Sequence, residues 1–233
     1  MLRLTIPVRL LVWGLSACAI LIVAAGIILI AVKFVYHHDY LLGFAPRFDL
    51  DGENSVPAWF SSIILFLSSC LLLLSGFLDR QRSSCRFPYW IGLAAIFLAL
   101  SLDESASFHE AVSGILQSKF HTTGFLTWPW VIPGAVFAGA VALISRRFLI
   151  QLPSTTRKSF LAAGAVYCAA SMGGDMVGAG LDKLGLAYHA AYVIEESGEM
   201  LGVLLFIRAL LYYLAAEAGS FELHLHGGPR RPE

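Results

Sequence analysis

The sequence predicts an all-α, polytopic membrane protein, a bundle of six transmembrane helices with both termini on the cytoplasmic side. Three observations predict it. The 233 residues are 58% hydrophobic and 14% charged, with a mean hydropathy of +0.73, whereas a soluble domain carries about 25% charged residues. Six apolar runs, long enough to cross about 30 Å of hydrocarbon, cover 10–35, 57–78, 89–116, 128–148, 159–180 and 189–214. The formal net charge is zero but unevenly placed. Arg3, Arg9, Arg80, Arg82, Arg86, Arg146, Arg147, Arg157, Lys158, Arg230 and Arg231 alternate with connections that receive only Lys33, Arg47, Lys119 and Lys183. The positive-inside rule then sets the first, third and fifth connections outside. One domain, 1–216, and a polar cytoplasmic tail, 217–233, account for the whole chain. Short loops and compactness suggest a bacterial inner (plasma) membrane.

In the first segment, Ser16-Ala-Cys-Ala is small enough for a processing site, but apolar residues continue to Val35. That exceeds a signal peptide's core of about 7–15 residues, so a retained, lipid-facing span is expected. The connection 36–56 carries His37, His38, Asp39, Asp49, Asp51, Glu53 and Asn54. Asp49-Leu-Asp-Gly-Glu-Asn54 has the opening of a calcium loop without its spacing or closing glutamate. An acidic turn before the second span fits better, with Asn54 or Ser55 as N-cap and Pro57 in the first turn.

The third span, 89–116, contains Ser101-Leu-Asp-Glu-Ser-Ala-Ser-Phe-His-Glu110. Ionisable side chains in hydrocarbon are expensive and normally face a cavity or a partner. On one continuous helix Asp103, Ser107, Glu110, Gly114 and Gln117 share a face, His109 lies about 120° from Asp103, and Glu104 points the other way. The indoles of Trp128-Pro-Trp-Val-Ile-Pro133 suit a membrane interface. The fourth span, uncharged until Arg146, should face lipid. In the fifth, Gly164, Cys168, Ser171, Asp175 and Gly178 recur at helical spacing, a face of small side chains that allows close helix packing and holds one acid. The sixth opens Tyr188-His-Ala-Ala-Tyr-Val-Ile-Glu-Glu-Ser-Gly-Glu199. It sets Glu195 and Glu199 one turn apart, with Glu196 about 100° away. Cys18, Cys70, Cys85 and Cys168 give no disulfide pattern and read as buried structural thiols.

Depth brings the acids together. At about 1.5 Å per residue, Asp103 lies about 21 Å and Glu110 about 32 Å in from the cytoplasm, Asp175 about 24 Å, and Glu195, Glu196 and Glu199 about 9–15 Å from the outside. All fall in the outer half of the bilayer. With almost no base at that depth, either several are protonated and hydrogen-bonded or a cation neutralises them. Asp103, His109, Glu110, Asp175, Glu195 and Glu199 are the candidate ligands of a divalent ion, whether zinc, manganese, iron or calcium.

Ser105-x-x-x-His109, with Phe108, is similar to a motif in the intramembrane metal hydrolases that include alkaline ceramidases and adiponectin receptors. The similarity covers five residues of one span. That family has seven spans and a paired-histidine motif on the last, where this chain has Glu195-Glu-x-x-Glu199.

Three functions fit. The first is a metal-dependent enzyme on a lipid or other membrane-borne substrate, with Glu196 or Glu199 as general base beside a metal-bound water. The second is a small proton- or cation-coupled transporter, with Asp103-Glu-Ser105 and Glu195-Glu-Ser197 as equivalent positions of an inverted repeat. The third is a non-catalytic membrane subunit whose polar cluster orders the bundle. Phosphate loops, dinucleotide fingerprints, nucleophile elbows and haem motifs are absent. Nothing supports nucleic-acid binding.

Overall fold

The computed structural model describes residues 7–36, 43–81, 85–182 and 185–218. His37, His38, Asp39, Arg3, Arg82, Lys183 and the tail beyond 218 lie outside the described residues. Among those described there are seven α-helices and no strand: α1 (Val8–Tyr36), α2 (Val56–Gln81), α3 (Phe87–Ala106), α4 (Phe108–Phe120), α5 (Val131–Gln151), α6 (Ser154–Gly178) and α7 (Leu186–Ala218). All but α4 are long and apolar enough to cross a membrane. The protein is a polytopic helical membrane protein.

Local chemistry sets the ends. The Ser55 hydroxyl accepts the Ala58 N–H at 3.2 Å, one of the donors a helix start leaves unsatisfied. Leu152, before Pro153, is extended (ψ 152°) and separates α5 from α6, as the clash with a following proline ring favours.

The apolar run expected as one third span is two helices. Ser107 sits between α3 and α4 in the left-handed region, φ 53°, which breaks the helical ladder. The shared face from Asp103 to Gln117 therefore does not exist, and the depth counted for Glu110 along a straight helix does not hold.

Within the bundle, α2 packs along α3, α6 along α7, α2 and α1 meet α7, and α5 rests on α6. The α6–α7 seam is tight because it is built from small residues. A methyl added at Gly198 would meet the Ala170 Cβ at 2.7 Å, and one at Gly202 the Tyr167 backbone nitrogen at 2.8 Å. The close approach thus comes from Gly198 and Gly202, not from the Gly164–Gly178 face, since nothing stands within 4 Å of an added methyl at Gly164. Cys18, Cys70 and Cys85 are exposed and Cys168 half-buried, all four free, so the buried-thiol expectation is corrected. Most of them stand on faces turned outward from the bundle.

The arginine-rich end is closed. Trp90, Phe148, Phe160, Leu210 and Tyr213 form one buried cluster with Leu72, with Phe148 edge-on to Trp90 at 4.8 Å. On the side of it away from the open end, Asp79, 2% exposed, accepts bonds from Arg86 Nη2 at 2.7 Å and Trp90 Nε1 at 2.6 Å. The opposite end is open.

Candidate functional site

Above the Trp90–Phe148 contact α3 and α5 separate, and a cleft of about 530 Å³ lies between α3, α5, α6 and α7. Its lower wall is apolar: Leu93, Ile96, Phe97 and Leu100 from α3, Phe137, Val141, Ala142 and Leu149 from α5, Phe160 and Leu161 from α6. Phe137 and Leu161 line it yet are each 51% exposed, so the cleft opens sideways onto the apolar surface of the bundle. The fourth predicted span walls this cleft on one side and turns Val136, Leu143 and Ile144 outward on the other. The small face of the fifth span is real, but Gly164, Cys168 and Ser171 give the cleft its width instead of admitting another helix.

The upper wall is acidic. Asp51, Glu53, Asp103, Glu104, Glu110, Asp175, Glu195, Glu196 and Glu199 all line the cleft, with His109 and, among the described residues, no lysine or arginine. Acids from α3, α4, α6 and α7 share this one space, together with the first connection. Glu104, expected to point away, belongs to it as well.

The break at Ser107 builds the rim. Turning the chain there brings His109 back onto Asp103: the His109 backbone N–H donates to Asp103 Oδ1 at 2.9 Å, and its ring Nδ1 lies 2.9 Å from Oδ2. Asp103 thereby satisfies an orphan donor in the first turn of α4 and pairs with the imidazole that the straight wheel put about 120° away. Burial disfavours the charged His109 ring, but the hydrogen bond and the charge of Asp103 outweigh it and raise its pKa to about 9. Burial, with Glu53 beside it, pushes Glu110 up. The Ser107 hydroxyl donates to Glu53, tying the first connection to the rim. Below, Ser105 Oγ donates to Ser62 Oγ at 2.8 Å, and the Ser62 hydroxyl to the Ser101 carbonyl at 2.8 Å. Ser105 and His109, the residues that resemble the metal-hydrolase motif, are on different helices, and each is engaged with a neighbour in the chain.

Trp130 was expected at a membrane interface. Its indole instead donates to Asp175 and stands 5.2 Å from the His109 ring. Tyr188 donates to Asp51 Oδ2 at 3.0 Å. No pattern in the sequence marks Trp130 or Glu53 as site residues, because both arrive through loop geometry.

Among the described residues, no three histidine, cysteine, aspartate or glutamate side chains are grouped so as to hold a metal ion. The six candidate ligands are brought to one cleft without forming a coordination shell.

Fold and site together define a multi-pass helical membrane protein with a lateral cleft, apolar at one end and acidic at the other. The chain belongs to the family described as Domain of unknown function (DUF8692), whose model matches residues 14–214, from α1 into α7. No curated protein matches the chain, and no solved structure does.

Proposed function

We propose that the protein binds a membrane-borne amphiphile in this cleft, its chain along α3, α5 and α6 and a positively charged head among the carboxylates. The carrying observation is the composition of the wall: apolar side chains below, nine acids above and, among the described residues, no lysine or arginine. About 530 Å³ is within the range of about 300–1,000 Å³ typical of small-molecule sites. Unit charges about 4 Å apart at an effective dielectric near 20 interact by about 4 kcal/mol. Nine acids set against the one imidazole of His109 therefore favour an ammonium head over a phosphate. Glu196 and Glu199 sit where chain meets head, the place for a general base if the ligand is also a substrate. The charge bias of the connections supports a cytoplasmic arginine-rich end and an acidic end facing the other side.

Binding of alkylammonium, alkyl phosphate and alkyl glycoside amphiphiles of one chain length to the protein in neutral nanodiscs tests this. The ammonium should bind about 10-fold or more tighter, a difference of about 1.4 kcal/mol, and Glu196→Gln with Glu199→Gln should erase that preference. Equal binding of all three, or preference for the phosphate, contradicts it. Ammonium uptake into liposomes would move the reading towards a transporter using the same acids.

A further inference from the structure

A second space adjoins the acidic end of the cleft and is different in kind. It is a chamber of about 130 Å³ between the first connection, α4, the Trp128–Trp130 turn and the facing ends of α6 and α7. Its lining includes four carboxylates, Asp51, Glu110, Asp175 and Glu195, with the phenols of Tyr188 and Tyr192. Asp175 and Glu195 come from the two helices joined at the tight glycine seam, so their backbones are fixed relative to each other.

An independent observation points to an occupant. Ser113 also lines the chamber; it is 2% exposed, and its hydroxyl has no hydrogen-bond partner among the described residues. Buried hydroxyls are normally satisfied by protein or ordered water. The chamber is roomy enough for ordered water beside Ser113. Water would satisfy Ser113 but bring no positive charge to the acids beside it.

We infer that the chamber holds a hydrated divalent cation, carried between the α6 and α7 carboxylates with Ser113 hydrogen-bonded to its water shell. A hard ion such as magnesium dehydrates reluctantly and binds through one or two carboxylates while keeping several waters. That mode suits a site where no three donors are grouped for direct coordination among the described residues. The chamber shares Asp51, Glu110, Asp175 and Glu195 with the cleft, so the ion is tested with no amphiphile present.

The test uses the full chain, stripped with EDTA and held in neutral nanodiscs, with MnCl₂ as probe and MgCl₂ as competitor. Free-ion EPR should show one saturable Mn²⁺ site per chain that Mg²⁺ displaces, and the bound ion should enhance water-proton relaxation because it keeps exchangeable water. Asp175→Asn, which retains an acceptor for Trp130, and Ser113→Ala should each raise the midpoint about 10-fold, the usual loss when a supporting contact is removed. Melting temperatures of both variants without metal confirm that they are folded. No saturable site, or midpoints unchanged in both folded variants, overturns the inference. The amphiphile assay is run without divalent ions, so either result stands alone.

Discussion

Asp79 and the cleft acids are both carboxylates inside one apolar bundle, yet they are solved in opposite ways. Asp79 is held by Arg86 and Trp90, with the Tyr213 hydroxyl at 3.5 Å, and every group near it comes from the chain. The acids at the other end line an open cleft with one imidazole and, among the described residues, no lysine or arginine. A buried acid with its counter-charge built in is structural, because nothing is left for a ligand to supply. On the proposed reading, the acids of the cleft leave most of that charge to a ligand. Polarity alone does not separate the two; the location of the compensating charge does.

The sharpest way to break this comparison is to remove one acid from each end. Asp79→Ala strands the partly buried Arg86, and breaking such a pair costs about 3–5 kcal/mol. Glu199→Gln removes an uncompensated charge and should leave stability within about 1 kcal/mol while weakening ligand binding. Chemical unfolding in detergent micelles measures both. Equal losses would make the cleft acids structural too.

A smaller effect sharpens the middle case, since Asp103–His109 is an internal pair at the rim. The folded pKa of His109 is raised to about 9, above its ordinary value of about 6.5. The stability this contributes is complete below about 6.5 and is lost as pH rises through about 9. NMR titration of the imidazole should find that raised value, and Asp103→Asn should return it towards about 6.5. A value near 6.5 in the unmodified protein would mean that the pair is not formed.

The six spans were legible because hydropathy over twenty residues is a property of the sequence itself. The convergence of Asp103, Asp175, Glu195 and Glu199 was legible too, since depth in a membrane follows from counting residues along a helix. The rim was not. Ser107 adopts a left-handed conformation that serine composition does not announce, and that one residue moves His109 onto Asp103 and detaches α4 from the third span. Trp130 and Glu53 come from connections whose path depends on packing rather than periodicity. Gly198 and Gly202 carry the α6–α7 seam, while the more conspicuous small face of Gly164, Cys168 and Ser171 lines a space.

The most direct measurement is photo-crosslinking by an alkylammonium amphiphile carrying a diazirine on its chain, followed by peptide mapping of the labelled positions. Labels should fall on the cleft walls, at Phe137, Val141 and Leu161, and excess unlabelled amphiphile should abolish them. Labelling spread over outward-facing positions such as Ile20 and Leu21 of α1, insensitive to competitor, would contradict the account.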